Sequence, residues 1–432
     1  MCELPDAHPA LSLPMSSRRS FLRLATAASG AALLPSCVSS GGGGMALPGT
    51  GGAFALGIDN LAQSGFAAVR GKRVGLILNQ TSAAGNGTPS RVVLQRALGR
   101  NFTSLYTPEH GLDGKEKAGI HVTSRRDPIT GLPAYSLYGE TRKPTPAMLA
   151  NIDVMLFDLQ DIGSRSYTYI STMAVAMEAC AEQGKEFMVL DRPNPLGGVR
   201  VSGPPLEPQW KSFVGQIPVP YVHGMTAGEL ANMINAYGWI KARPRLTVIP
   251  MRGWQRSMVW RDTGLRWIAT SPNIPGPESP FYYAATGILG GLNGVDIGIG
   301  TNRPFEYAGG PRINPDEFAA TLNSRHMPGV RFRPYRSERK PGFAGVQILI
   351  DPHGNTDLLA LAVLLASEVC RRTGNSPLRA TTGDTRTLFH KVYGSDSLFR
   401  DLSSGRPVGS IIASWQPSLT GFRSARQRFL MY

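Results

Sequence analysis

Between residues 73 and 251 short, almost purely apolar runs alternate with helical stretches, and that rhythm leaves the chain few folds to choose from. Val74-Gly75-Leu76-Ile77-Leu78 leads to a helical pattern near 90–98 and then to a strand-like run at 102–106. Val154-Met155-Leu156-Phe157 precedes a helical pattern near 172–182, and Phe187-Met188-Val189-Leu190 follows it. A further helix near 226–237 leads to Leu246-Thr247-Val248-Ile249. Strands that are apolar at nearly every position, instead of every second one, are buried on both faces. That is the condition of a parallel sheet with helices on either side. The expected fold class is therefore α/β.

From about residue 266 the texture changes. Asn314-Pro315 pairs an N-cap with a Pro in the first helical turn, Val346-Gln347-Ile348-Leu349-Ile350 reads as a strand, and residues 356–372 read as an apolar helix closed by Gly374. Two short amphipathic helices and an aromatic-basic terminal segment complete a smaller α+β domain, with no internal repeat. The expected layout is a leader over 1–36, a flexible tether over 37–55, a parallel-sheet domain over 56–265 and an α+β domain over 266–432.

The leader carries an address. Ser17-Arg18-Arg19-Ser20-Phe21-Leu22-Arg23 has the twin-arginine pattern, and Met15 directly precedes it. The apolar run that follows, residues 24–34, is shorter than the roughly 20 residues a membrane span needs. It ends in Leu34-Pro35-Ser36-Cys37, which resembles a lipobox with Cys37 as the lipidated residue. Export is expected, to the periplasm or to a membrane surface through a lipid anchor alone. Cys180 and Cys370 lie in apolar helical patterns; they could pair in an oxidising compartment, but isolated buried thiols fit those patterns better.

A formal charge of +15 favours anionic partners. Lys and Arg read as scattered, without a basic run interleaved with aromatics, so anionic glycans fit the charge better than nucleic acid does.

The chemistry should gather where the strands end, because the C-terminal ends of parallel strands share one edge where such folds bind ligands. Asn79-Gln80-Thr81 follows the first strand and Pro108-Glu109-His110-Gly111 the second. Asp158-Leu159-Gln160-Asp161 follows the third, and Asp191-Arg192-Pro193-Asn194-Pro195 the fourth. No G-x-G-x-x-G fingerprint opens a helix after the first strand, although Gly298-Ile299-Gly300 lies far downstream, and no G-x-S-x-G elbow is present. These absences argue against an oxidoreductase and an α/β-hydrolase, and no Cys/His or carboxylate spacing demands a metal. No cofactor is expected.

Glycoside hydrolysis fits the inventory, since it needs an acid at the leaving oxygen and a second function behind the sugar. Glu109 is placed to be that acid, and Asp158, Asp161 and Asp191 can supply the second function or hold hydroxyls. Tyr167 and Tyr169 offer stacking faces, and Arg165 or Arg192 can clasp a substrate carboxylate with two parallel hydrogen bonds. Each has a structural alternative. Glu109 and His110 can be turn residues, Asp191 and Asn194 can brace the Pro-rich turn, and the two tyrosines can be core. Glu229, in Thr226-Ala227-Gly228-Glu229, has the spacing of a capping box and most simply caps its own helix.

The same segments resemble a known family. Tyr106-Thr107-Pro108-Glu109-His110-Gly111, Asp158-Leu159-Gln160-Asp161-Ile162-Gly163 and Tyr167-Thr168-Tyr169-Ile170-Ser171-Thr172 are similar to motifs of the bacterial exo-β-N-acetylmuramidases. So are Leu190-Asp191-Arg192-Pro193-Asn194-Pro195, His223-Gly224-Met225-Thr226, Ser271-Pro272-Asn273-Ile274-Pro275 and Arg303-Pro304-Phe305-Glu306, in the same order. The resemblance runs from about Gly57 to the C-terminus. It implies a Rossmann-like domain, a smaller C-terminal domain and a cleft between them. It also implies release of N-acetylmuramic acid from the non-reducing end of peptidoglycan fragments, with Glu109 at the position of the family's leading catalytic candidate.

One segment departs from the family pattern. Many members carry a Glu and an Arg where this chain has Gly291 and Ile299, which implies a change in the sugar or aglycone accepted. The expected site is thus Glu109 as acid, with His110, Asp158 and Asp161 shaping the cleft. Asn79, Gln160, Arg165, Tyr167, Tyr169, Asp191, Arg192, Asn194, His223, Asn273 and Arg303 are the expected contacts to a peptidoglycan sugar or muropeptide. A wall-glycan-binding lipoprotein without turnover is the alternative reading.

Overall fold

The computed structural model describes residues 54–432; the twin-arginine segment, Cys37 and the expected tether up to residue 53 lie outside them. In chain order the strands are β1 (Val74–Ile77), β2 (Phe102–Thr107), β3 (Arg125–Arg126), β4 (Pro133–Ser136), β5 (Val154–Phe157), β6 (Glu186–Leu190), β7 (Ser202–Pro205), β8 (Pro220–Val222), β9 (Leu246–Ile249), β10 (Tyr307–Pro311), β11 (Val330–Arg336) and β12 (Phe343–Ile350). The first sheet runs β3-β4-β2-β1-β5-β6-β9, and every pairing in it is parallel except the one between β3 and β4. All five strands expected from the apolar runs are there. The chain moves outward from β1 through β2 to β4, then returns to place β5 on the other side of β1. The crevice where that order reverses lies at the ends of β1 and β5.

Both faces of this sheet are covered, as the unbroken apolar runs require. Val74, Leu76, Val154, Leu156 and Met188 pack on one face with Leu56, Ile58 and Leu94. Ile77, Met155, Phe157, Phe187 and Val189 pack on the other with the helices Thr168–Glu182 and Ala227–Tyr237. This second cluster continues into the smaller antiparallel sheet β10-β12-β11 through Ala308, Phe332, Val346 and Ile348. The two sheets therefore share apolar contacts. Cys180 and Cys370 are free and buried, as expected.

Several local expectations shift. The tether was expected to reach residue 55, but Ala55 is buried and pairs with Arg252 in both directions, at 3.0 and 2.9 Å. The helix expected near 172–182 begins at Thr168, which brings a hydroxyl to the sheet edge. The basic residues are less scattered than they read: Arg331, Arg333 and Arg336 stand exposed on β11, an edge strand, beside Phe332 and Tyr335. Charges there, Pro334, and the Asn323 amide bonded to both N–H and C=O of Phe332 protect the edge against pairing with another chain.

The C-terminus returns to the first sheet. The Tyr432 hydroxyl donates to Asp191 Oδ2 at 2.7 Å and accepts from the Met251 N–H at 2.9 Å, while the Met431 N–H donates to Glu229 Oε1 at 2.9 Å. Tyr432→Phe removes two of these bonds, one of them to a buried carboxylate. Urea unfolding should show a loss of about 1–3 kcal/mol, and an unchanged midpoint would mean that the terminus is merely laid against the sheet.

Candidate active site

Glu109 stands two residues beyond β2. The chain reverses there through two successive left-handed residues, His110 at φ 71° and Gly111 at φ 72°. A histidine in that conformation costs energy unless its surroundings hold it. The hold is a 2.6 Å contact between His110 Nδ1 and the carbonyl of Glu116, in which the ring nitrogen donates. The exposed loop that carries Glu116 folds back over the turn, and its Gly119 N–H donates to Glu109 Oε1 at 2.8 Å. The other carboxylate oxygen, Oε2, accepts from Thr168 Oγ1 at 2.7 Å, in the first turn of the helix Thr168–Glu182. The positive end of that helix faces a carboxylate. Glu109 is left 8% exposed.

Three tyrosines surround the acid. Tyr138 lies against it, and its hydroxyl is pushed up to about 12, first by burial and then by the Glu109 charge. Tyr169 and Tyr283 are raised well above the phenol range, again mainly by burial, with Glu109 among the lesser causes. Such phenols stay protonated and act as donors. Tyr169 donates to the Thr270 carbonyl at 2.6 Å and accepts from Asn79 Nδ2 at 2.7 Å, while Tyr167 donates to Thr270 Oγ1 at 2.9 Å. The Tyr167 and Tyr169 rings meet edge to face, 4.7 Å apart. They form a buried wall, so neither offers an open stacking face.

The aspartates separate into different roles. Asp158 is fully buried and accepts from Arg192 Nε at 2.7 Å, and Arg192 also donates to the Ala83 carbonyl at 2.8 Å. Both are occupied in holding the ends of β5 and β6 together. Asp191 accepts four hydrogen bonds, from Thr226 Oγ1, the Gly228 N–H, the Arg192 N–H and Tyr432, and burial raises it to about 6. It has no capacity left for sugar hydroxyls. Asp161 Oδ2 accepts from the Gly163 N–H at 2.7 Å and its Oδ1 has no partner, as Asp158 Oδ2 has none, but no cation pairs with Asp161 among the described residues. Burial raises Asp161 to about 7 despite the backbone donors of Gly163 and Ile162.

The remaining expected contacts are mostly structural. Gln160 Nε2 donates to the Asp161 and Pro193 carbonyls, and Asn194 joins the Leu196 N–H to the Met225 carbonyl. Arg165 was expected to clasp a substrate carboxylate, but it donates to the carbonyls of Pro204, Val219 and Tyr393, and burial lowers it to about 10. His223 Nδ1 accepts from the Met225 N–H, and burial, together with Arg426 and Arg165, lowers it to about 3, so it is neutral. Arg303 is exposed and pairs with Glu306 at 3.0 Å, and Asn273 is half-buried. Glu229 caps its helix reciprocally with Thr226, as its spacing indicates.

The structure thus brings Glu109, Asp161, Tyr167, Tyr169 and Asn79 into one neighbourhood and adds Thr168, Tyr138 and Tyr283. Tyr138 follows β4 just as Glu109 follows β2, so the strand-end rule would have found it had Pro133–Ser136 been read as a strand. Thr168 was hidden by the late helix start.

Buried acids on the ligand edge of a doubly covered α/β sheet, beside protonated phenols, suit a glycoside hydrolase. The chain belongs to the exo-β-N-acetylmuramidase NamZ family, whose N-terminal description matches residues 74–278 and whose C-terminal description matches 281–432. It is 41% identical over 384 residues to the peptidoglycan β-N-acetylmuramidase NamZ of Bacillus subtilis (strain 168), covering 87% of this chain and 91% of that protein. Two crystal structures of DUF1343 family proteins from Bacteroides fragilis NCTC 9343 share the fold. One superposes with a TM-score of 0.81 at 38% identity and the other with 0.68 at 27%, each covering 88% of this chain and 99% of the other.

Asp161 gives the site a pH signature. Raised to about 7 in the folded chain from about 4 when unfolded, it binds a proton more readily folded than unfolded. Its stabilising contribution is complete below about pH 4 and is lost as pH rises through the folded value. Asp161→Asn lacks that loss, so its stability relative to wild type should be higher at pH 8 than at pH 5 in urea unfolding. The same difference at both pH values would show that Asp161 is already ionised at pH 5.

Proposed function

We propose that this protein is an exo-acting glycosidase that releases N-acetylmuramic acid from the non-reducing end of peptidoglycan fragments, with Glu109 as its general acid. The observation that carries the residue assignment is the placement of Glu109. It is a carboxyl group at a strand end, gripped from one side by a rigid helix and capped on the other only by an exposed loop. When the loop withdraws, the glycosidic oxygen takes the place of the Gly119 N–H. Thr168 keeps the carboxyl oriented while its proton passes to that oxygen. The bond from C1 to the oxygen breaks, with the electron pair staying on the leaving sugar, and water supplies the hydroxyl that ends on C1 and a proton that restores Glu109. Asp161, with one oxygen unpartnered, supports the developing charge or the attacking group. Asp158 and Asp191 serve as framework.

The leader supports the rest of the reading. The twin-arginine pattern and the lipobox-like end at Cys37 fit export and a lipid anchor, which would set the enzyme beside the wall whose fragments it processes.

Two experiments test this. On a chromogenic N-acetylmuramide, Glu109→Gln should lower kcat by about 10²–10⁴-fold. Wild-type turnover with an unaffected variant would remove Glu109 from the role, and tight muropeptide binding without turnover would select a wall-glycan-binding protein instead. In cell fractionation, Cys37→Ala should move the protein from the membrane to the soluble exported fraction, and an unchanged distribution would exclude the anchor.

A further inference from the structure

N-acetylmuramic acid differs from N-acetylglucosamine by a lactyl ether, and that ether carries the one charge on the peptide-free sugar. An enzyme that selects it needs a cation within a sugar ring's width of the acid. Arg165 and Arg192 are spent on backbone carbonyls and on Asp158. A different arginine packs on Tyr138, one of the tyrosines that Glu109 influences.

Arg142 lies four residues beyond Tyr138, the tyrosine whose hydroxyl is raised in part by Glu109. Its guanidinium carbon is 4.7 Å from the Tyr138 ring centre and 4.8 Å from that of Phe213, and the two rings are 5.7 Å apart, tilted by 55°. The turn that presents it is braced by Thr141, whose hydroxyl accepts from the Lys143 N–H at 3.1 Å and donates to the Lys143 carbonyl at 2.6 Å. Neighbouring Lys143 is consumed by Glu178 and Glu182, at 2.7 and 2.8 Å. Arg142 is exposed, and no carboxylate pairs with it among the described residues.

A guanidinium laid against aromatic faces keeps the N–H groups of its edge free and in one plane, the geometry that receives a carboxylate through two parallel hydrogen bonds. We propose that Arg142, held by Tyr138 and Phe213, is the specificity-determining residue that binds the lactyl carboxylate of the sugar whose C1 faces Glu109. The proposal rests on the reading of the Glu109 site given above. Tyr138 then links the two halves of recognition, with its ring under the arginine and its hydroxyl at the acid.

The test compares two inhibitors of the purified protein that differ only in charge, N-acetylmuramic acid and its neutral lactamide. Wild type should bind the acid about 10–100-fold more tightly, the range of charge-assisted hydrogen bonds. In Arg142→Gln the ratio should fall to about one, and Arg142→Lys, which keeps the charge but loses the planar fork, should fall between. A wild type without preference for the acid, or a preference that survives in Arg142→Gln, overturns the proposal. Binding is measured by calorimetry as well as by inhibition. A wild type that hydrolyses no N-acetylmuramide would therefore sink the assignment of Glu109 while leaving the charge preference readable at Arg142.

Discussion

The buried carboxylate of Asp191 ties together three parts of this molecule. It lies just past β6 and accepts from the hydroxyl that caps the helix Ala227–Tyr237, from two backbone N–H groups and from the last residue of the chain. The arrangement depends on Gly228, because a Cβ there would stand 2.8 Å from the carboxylate. Removed from water, such a group destabilises the fold unless its acceptor sites are filled. Filling them joins the end of a central strand, a helix start and the C-terminus at one point. The strand-end geometry on which catalysis draws is fixed from behind by this knot.

The buried acids of the sheet edge differ in the partners that satisfy them. Asp158 has the Arg192 guanidinium, Asp191 has four donors, and Glu229 has its own helix, Arg256 and the Met431 N–H. Removing either member of a pair such as Asp158 and Arg192 would strand a buried charge, so these groups are locked into their partners. Glu109 has two donors, one of which belongs to an exposed loop, and Asp158 and Asp161 each retain an oxygen with no partner, with Arg192 beside the first and no cation paired with the second among the described residues. Perturbed acids gather at functional sites.

How far the sequence could be read follows from the range of each interaction. The strands β1, β2, β5, β6 and β9 announce themselves because burial on both faces writes an unbroken apolar run. The placement of Glu109 at a strand end follows directly from one such run. Strand β4 begins with Pro133, and β7 is Ser202-Gly203-Pro204-Pro205, so neither carries a strand's composition, and Tyr138 was lost with the first of them. Thr168 and Tyr169 are poor helix formers, and the helix reaches back to them only because its start is packed against Glu109 and Thr270. Arg165 was misjudged for a simple reason. Its acceptors are 39, 54 and 228 residues away, and a charge in a polar motif says nothing about which carbonyls will surround it.

The departure at Gly291 and Ile299 can now be given a physical sense. A Cβ on Gly291 would meet the ring of Phe389 at 3.2 Å, so the helix Gly383–Tyr393 already fills the space a longer residue would take. Ile299 stands exposed between Gly298 and Gly300, both in the left-handed region, and offers no charge. Where the resemblance implies an acid and a guanidinium, this chain has packing against Phe389 and an exposed apolar tip. Recognition of a charged sugar must then come from elsewhere. The unpaired guanidinium beside Tyr138 lies in the segment that follows β4, away in sequence from the altered segment. Loss of the junction pair and retention of muramic acid selectivity are therefore compatible in one protein.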